Sequence, residues 1–452
     1  MNIIIAGGGK VGITLANQLS AEKHDITLID SNAQVLNASM ERFDMMTVHG
    51  NCASMAVLLQ AGIKDADLLI AATNADEVNL LCCTTAHGIN PNLHTIARIR
   101  NPEYTQQIYE MRDIFALSMT INPENQAAVE IERLLKYPGF LRRDSFAKGR
   151  VEIVELKIDR DSKLCGVSLQ EMPGIVKCKV LVCAVLRSGT ATVPRGNFIL
   201  QEGDRIFVTA PTENLTVMLK SLGIITRRAR RVILCGGGRV SYYLAALLEK
   251  SNVSVQLIDS NYHRCKELAA LLPQTGVVHG DATDHTLLEN EGLSSCDALV
   301  TLTGTDELNM IISLFGSSRN VPQVITKLSH AENRNIIDNL PLGSIVCPKE
   351  LCCNHIIRYV RAMQNQTGAA VSVHAIADGQ AEAVEFLVEE STRNQGIPLK
   401  SLKLKPNVLI ASITHGAHTE IPNGNSMFHA GDSLVLVTSG RGILQQLDDI
   451  FA

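Results

Sequence analysis

The stretch Ile3-Ile4-Ile5-Ala6-Gly7-Gly8-Gly9-Lys10-Val11-Gly12 decides how this chain folds. Its apolar start reads as a short buried strand, and its glycines permit a tight turn. Val11, Leu15 and Leu19 then fall on one stripe of the helix that follows, and residues 25 to 29 form the next apolar run. That is strand, helix, strand. A second stretch, Val232-Ile233-Leu234-Cys235-Gly236-Gly237-Gly238-Arg239-Val240-Ser241, repeats the pattern. Gly7 to Gly236 is an offset of 229, Asp30 to Asp259 is 229, Asp76 to Asp306 is 230, and Gly203 to Gly431 is 228. One offset held through four motifs marks a duplication.

Outward from the first corner, apolar runs recur at Met45 to Val48, Leu68 to Ala71 and His94 to Ile99, separated by helical stretches such as Asp76 to Ala86. Strands alternating with helices imply a parallel sheet covered on both faces, and right-handed crossovers make it doubly wound. Asn122-Pro123-Glu124 opens a late helix, with asparagine as N-cap and proline in the first turn. Its apolar side, Ala127, Ala128, Ile131, Leu134 and Leu135, is broad enough to suggest packing against another subunit. From Val151 the period changes to two, giving a β-rich module with a long strand at Val180 to Leu186 and turns at Pro194-Arg195-Gly196 and Glu202-Gly203-Asp204. The second copy has the same order, ending with turns at Pro422-Asn423-Gly424 and Ala430-Gly431-Asp432. The expected fold class is α/β: duplicated Rossmann-like doubly wound parallel sheets, each followed by a small α+β module. The expected divisions are 1–140, 141–225, 230–365 and 370–452.

The chain has 452 residues, 46% of them apolar, and 41 basic against 46 acidic residues. That balance gives no overall pull toward nucleic acid or anionic lipid. The basic cluster Arg227, Arg228, Arg230 and Arg231 sits between the copies and reads as a solvated linker. The first strand begins at the start of the sequence, leaving no room for a signal peptide, and no apolar run reaches the ~18 residues of a membrane span. Twelve cysteines without a secretion signal point to reduced thiols. The adjacent pairs Cys82-Cys83 and Cys352-Cys353 diverge on a helix, and His415-Gly416-Ala417-His418 reads as a plain loop, so no metal is expected.

The first glycine corner has the full chemistry of a dinucleotide fingerprint. Gly7 allows the turn, Gly9 lets a pyrophosphate approach the backbone, and Gly12 lets helix and strand pack closely. Gly8, Lys10 and Val11 complete the corner, where phosphate meets the free N–H groups and dipole of the helix N-terminus. Asp30, ending the second strand, is placed to accept hydrogen bonds from both ribose hydroxyls and to repel a 2′-phosphate. NAD(H) or an adenine nucleotide is therefore expected rather than NADP(H). Two further polar turns join the site, Gly50-Asn51-Cys52 and Thr73-Asn74-Ala75-Asp76. Arg98 and Arg100, on one face by alternation, bring guanidinium groups to the crevice, where one or both instead pair with local carboxylates in the plainer reading. In the second copy Gly236, Gly237, Gly238, Arg239, Val240, Asp259 and Asp281 recur, but Ser241 replaces the third glycine and Lys327 stands near the counterpart of Arg98.

These motifs, with Ala72-Thr73-Asn74-Ala75-Asp76-Glu77-Val78-Asn79, Ala97-Arg98-Ile99-Arg100, Tyr137-Pro138-Gly139, and Leu164 to Leu169 echoed at Gly396 to Leu402, resemble the TrkA family. The family comprises cytosolic regulatory subunits of bacterial Trk potassium-uptake systems. The resemblance covers the whole chain as tandem regulator-of-K⁺-conductance (RCK) N and C subdomains. It implies a homotetrameric ring under a membrane-embedded Trk potassium channel subunit of the TrkH/TrkG type. It also implies NAD(H) and ATP/ADP binding, no enzymatic role, no nucleic-acid partner and no membrane insertion. On that reading the protein is cytoplasmic and peripheral to the membrane through its partner. Asn51, where an acid is usual, and Ser241 depart from the family pattern. Two other readings are an NAD-dependent oxidoreductase and a nucleotide sensor whose C subdomains bind another effector, as some relatives bind cyclic di-AMP. The first needs a substrate domain with an acid or base beside the nicotinamide, and residues 151 to 225 hold no histidine.

Overall fold

The computed structural model describes residues 1–40, 45–136, 139–224, 229–329, 340–363, 370–439 and 446–451. Arg227 and Arg228 of the basic cluster, Tyr137 and Pro138, and the expected division points 225, 365 and 452 lie outside the described residues. The chain divides into two compact units, Met1–Ala127 with Cys347–Ile357, and Ala128–Val346 with Arg358–Ala452.

The first unit is built on six parallel strands. Their order is Met46–His49, Asp25–Asp30, Asn2–Ala6, Leu68–Ala71, His94–Arg98 and Met119–Ile121. Ile3, Ile4 and Ile5 are all buried, because a parallel sheet covered on both sides has no solvent face for alternate residues to meet. The helix Lys10–Ala21 buries Val11, Leu15, Ala16 and Leu19, the stripe read from the sequence. Between Asn2–Ala6 and Leu68–Ala71 the strand order reverses, so the connections leave in opposite directions and open a crevice at the carboxyl ends.

The late helix Pro123–Lys136 begins as expected: Asn122 Oδ1 accepts a hydrogen bond from the Asn125 amide at 2.9 Å. Its apolar residues Ala127, Ala128, Ile131, Leu134 and Leu135 are all buried within the single chain, so the broad face does not call for another subunit. In the first unit, Gln126 Nε2 lies 2.7 Å from His355 Nδ1, on the corresponding late helix of the second copy, Pro348–Met363. The duplicated helices are thus partly exchanged between units in sequence terms, since Cys347–Ile357 belongs with the first.

The second unit carries the second six-stranded parallel sheet, in the order Gly276–His279, Ser254–Asp259, Arg231–Cys235, Ala298–Thr301, Gln323–Lys327 and Ser344–Val346. It also holds two five-stranded antiparallel sheets. One runs Thr190–Thr192, Leu181–Arg187, Arg205–Pro211, Val151–Lys157, Arg142–Phe146. The other runs Ala370–Ile376, Ala381–Leu387, Ser433–Ser439, Val408–His415, His418–Glu420, which is the same order read from the other edge. The duplication therefore extends through all four sheets. The strand Arg142–Phe146 lies before the expected start of the period-two pattern. It pairs with Val151–Lys157 through a turn in which Ala147 and Lys148 take positive φ, as Ala377 and Asp378 do in the sister hairpin.

The two antiparallel sheets share one apolar cluster. Phe146, Ile153, Ala184 and Phe207 from one pack with Ile376, Ala383, Ala411 and Val437 from the other. Polar ties rim it. Arg205 forks onto Asp378 at 2.8 and 3.1 Å, the Ala147 amide donates to Glu385 at 3.2 Å, and His374 Nδ1 meets Asp144 at 2.8 Å.

Candidate functional site

The crevice of the first unit is built where three strands end. Gly7 follows Asn2–Ala6 with φ +107, and a Cβ there would lie 2.9 Å from the Thr73 amide, so only glycine lets this turn meet the next strand end. Gly12 is fixed more tightly still, since its Cβ would stand 1.9 Å from the Gly7 carbonyl oxygen. Gly9 is the opposite case. It is the N-cap of the helix, in extended backbone with φ −73, and nothing lies within 4 Å of where its Cβ would point. The helix start has no side-chain cap and no acid in its first turn, so its first-turn amides and the positive end of the helix dipole stand beside the open space at Gly9. That arrangement fits a diphosphate.

Asp30 closes the next strand, and its carboxylate accepts from the Gly8 amide at 2.6 Å and from the Asn32 amide at 2.7 Å. The carboxylate is thereby held against the glycine turn, with lone pairs remaining for ribose hydroxyls. In the second copy Asp259 accepts from Gly237 at 2.6 Å and from Asn261 at 2.8 Å, the same geometry.

The polar turn after Met46–His49 is an Asx turn, with Asn51 Oδ1 accepting from the Ala53 amide at 3.0 Å. Asp281 makes the same turn with Thr283 at 2.9 Å, and those hydrogen bonds hold its carboxyl below the usual range. Asparagine in place of the acid therefore keeps the loop and removes a charge. Cys52 is buried in the apolar core and shares a thiol hydrogen bond with Cys82 that lowers it from the usual thiol value. Its side chain faces inward, so what it offers the crevice is backbone. All twelve cysteines are free thiols, and burial pushes Cys83 and Cys235 up to about 12.

Thr73 and Asn74 follow Leu68–Ala71, and their loop is organised by a residue the sequence reading did not single out. Asn79, fully buried in the helix Asp76–Ile89, accepts from the Thr73 amide at 2.9 Å and from its hydroxyl at 2.6 Å, and donates to the Arg98 carbonyl at 2.8 Å. One amide thus ties two strand ends together. Asn309 repeats this with Thr303 and the Lys327 carbonyl, at 2.8 and 3.0 Å. The repeat at an offset of 230 was the available signal. Asn79→Ala strands the half-buried Thr73 amide, and urea denaturation is expected to show a loss of about 2 kcal/mol. Unchanged stability would mean the loop is held by other contacts.

Both arginines are engaged by carboxylates. Arg98 lies 3.6 Å from Glu124 and Arg100 lies 3.6 Å from Asp76, which also accepts from the Arg100 and Asn101 amides at 2.8 Å. Burial lowers Arg98 from the ordinary arginine value, with Glu124 opposing, and its Nε is buried without a hydrogen-bond partner. A phosphate in reach of Arg98 would satisfy that donor.

The second corner is more self-contained. Gly236 takes φ +106 and Gly238 is an open N-cap, but Ser241 is fully buried and its hydroxyl donates to the Gly236 carbonyl. Serine thus replaces close packing with a hydrogen bond. Arg264 Nε donates to the Gly237 carbonyl at 2.7 Å, and the Lys327 amine donates to the Thr303 carbonyl at 2.6 Å. Arg239 is exposed and Val240 buried. A separate cleft of about 1050 Å³, lined by Arg230, Val253 and Asp297 among others, lies at the amino ends of this sheet's strands. Nucleotides bind at the carboxyl ends, so it is a different feature. Arg230 and Arg231 are exposed, but Arg231 already opens the strand Arg231–Cys235, so the linker read from the basic cluster ends before it.

The TrkA-N domain family matches residues 3–122 and again 232–348, and the TrkA-C domain family matches 153–223. A Halomonas elongata protein named Trk system potassium uptake protein TrkA is 30% identical over 100% of this chain and 98% of its own length. The Haemophilus influenzae protein of the same name is 31% identical over 100% of this chain and 98% of its own. Among solved structures, the GsuK channel bound to NAD covers 97% of this chain, with 76% of its own chain aligned, at a TM-score of 0.61 and 17% identity, a likeness of fold.

Proposed function

The chain belongs to the TrkA family, and from that premise we propose that it is the regulatory subunit of a Trk-type potassium uptake system, switched by nucleotide at its glycine corners. The observation that carries this reading is the first corner: an uncapped helix N-terminus, open space at Gly9, and Asp30 held against the turn. NAD(H) and ATP or ADP would occupy it, contacting Gly7 to Val11, Asp30, Thr73, Asn74 and Arg98, with the backbone of Asn51 and Cys52 beside them. In the second copy the contacts would come from Gly236 to Val240, Asp259 and Asp281. The structural relative bound to NAD supports this choice of ligand.

The wider assembly is part of the same proposal. Residues 1–140 and 230–365 act as N subdomains and 141–225 and 370–452 as C subdomains, with four chains forming a ring beneath a membrane-embedded channel subunit. Among the described residues no helix is long and apolar enough to cross a membrane, so contact with the bilayer falls to that partner. ATP and NADH compete for one crevice, and each moves the ring only by its difference in affinity between the ring's states. No chemistry on the nucleotide is required.

Potassium flux into proteoliposomes carrying the membrane Trk subunit, with this chain added, tests the proposal. Flux is expected to differ between NADH and ATP. Equal flux with either nucleotide, or steady oxidation of NADH by an added substrate, would overturn it.

A further inference from the structure

The duplication lets one position be compared with itself. In the first C module Asp204 is buried and its carboxylate is neutralised by Arg187, whose Nε and Nη2 donate to the two carboxylate oxygens at 2.7 Å each. Asp204 also accepts from the Gln201 amide at 2.8 Å, which fixes the turn. In the second module Asp432 is the same residue. Its carbonyl accepts from Val388 at 2.8 Å as that of Asp204 does from Ile158 at 2.8 Å, and its carboxylate accepts from the His429 amide at 2.7 Å. But the arginine has become His415 and the glutamine has become His429.

Two substitutions thus converge on one carboxylate. Asp432 is 6% exposed and has lost the guanidinium that balances its sister. His415 Nδ1 lies 2.8 Å from Asp432 Oδ2, and ligand atoms of His415, His429 and Asp432 lie within 4.8 Å of one another. Glu420, across the hairpin, has a carboxylate oxygen 4.0 Å from His415 Nε2. The sequence reading took the stretch from His415 to His418 for a plain loop; the fold sets the two histidines opposite each other in a hairpin and also brings His415 to His429 and Asp432.

We propose that His415, His429 and Asp432 form a binding site for a divalent transition metal of the zinc class, with water as the remaining ligand. Two imidazole nitrogens and one carboxylate oxygen are a borderline donor set that suits Zn²⁺, whereas Ca²⁺ and Mg²⁺ want oxygen. Ligand bonds of about 2.0–2.2 Å need the present spread to close by roughly an ångström. The exposed His429 side chain supplies that by rotation. The metal then restores to Asp432 the positive charge that Arg187 gives Asp204.

Calorimetry of Zn²⁺ with the tag-free full chain is expected to show a saturable site, and Co²⁺ in its place an absorption spectrum of nitrogen and oxygen ligation without a thiolate charge-transfer band. Combining His415→Arg with His429→Gln installs the pair already used in the first module, so the turn keeps its carboxylate partner. Loss of a single outer-shell partner weakens metal binding by about 10–100-fold, and removing two ligands is expected to exceed that. His429→Gln alone, at an exposed side chain, is the second variant and is expected to weaken binding while leaving the circular dichroism spectrum unchanged. Absence of saturable Zn²⁺ binding, equal affinity in wild type and variants, or a thiolate-dominated cobalt spectrum would each overturn the proposal and leave His415 as a simple hydrogen-bond partner of Asp432.

Discussion

A Gly9→Asp chain is expected to fold as well as the wild type and to bind NADH at least about 100-fold more weakly, the effect of setting a like charge in a phosphate site at several kcal/mol. The two effects separate because of the geometry at this residue. Gly9 has an ordinary negative φ and open space at its Cβ, so a side chain enters without a clash. It is also the N-cap, where aspartate is among the preferred residues and where a carboxylate meets the positive end of the helix dipole. The substitution therefore stabilises the empty helix start by the interaction that a phosphate would otherwise use. Thermal melting together with NADH calorimetry reads both. Undiminished affinity would remove the phosphate from this corner. The same substitution at Gly12 would not be informative, since its Cβ would collide with the Gly7 carbonyl and the fold itself would give way.

Replacing Asp144 with asparagine is expected to destabilise the paired C modules by about 3 kcal/mol. Asp144 is buried beside Arg142, with an oxygen 2.9 Å from its Nε, and it meets His374 from the other module at 2.8 Å. Burial acts to raise this carboxyl, but Arg142 and His374 outweigh it and hold the group well below the usual carboxylate range. Removing one partner of a buried pair costs about 3–5 kcal/mol, and Arg142, with 31% of its side chain exposed, recovers some hydration, which favours the lower figure. The pH dependence has a definite sign. A carboxyl whose folded pKa is depressed contributes stability that is full above its unfolded value near ~3.9 and is lost as pH falls through the folded value. Wild type is thus expected to lose stability more steeply than Asp144→Asn on acidification below about pH 4. Parallel urea midpoints across that range would show that Asp144 is not charged in the folded state.

The same residue shows why part of the fold was hidden in the sequence. Arg142-Arg143-Asp144-Ser145-Phe146 is a strand of a buried sheet, yet its run of charges shows no apolar alternation, because those charges enter the fold already paired. Arg143 meets Glu152 at 2.7 Å, and Asp144 meets His374. Hydrophobic periodicity registers transfer from water, and an ion pair that enters the interior as a pair leaves no such trace. The glycine corners were legible for the opposite reason. Their meaning is local, set by φ, by the close approach of Gly12 to Gly7 and by an aspartate at the next strand end.

Side-chain destinations were less legible than positions. The breadth of the apolar face on Pro123–Lys136 was read correctly, but composition does not say what covers a face, and here burial is completed within one chain. Cys52 was read as part of the site on its turn, whereas its thiol packs into the core. Arg98 and Arg100 were placed at the right strand end, and their carboxylate partners, Glu124 and Asp76, come from elements that only the fold brings beside them. Asn79 entered the sequence reading only as the last residue of the motif Ala72 to Asn79, with no role of its own. Its role in joining the Thr73 turn to the Arg98 strand end emerges only from the buried hydrogen bonds.

The central claim is that the first glycine corner is a pocket whose filling by nucleotide works a switch, and titration calorimetry of the full chain with NADH, repeated in the presence of ATP, tests it most directly. Saturable NADH binding that ATP displaces competitively is the expected result. No heat of binding with either nucleotide at concentrations on the order of millimolar, where a site of only ~4 kcal/mol would already register, would contradict it.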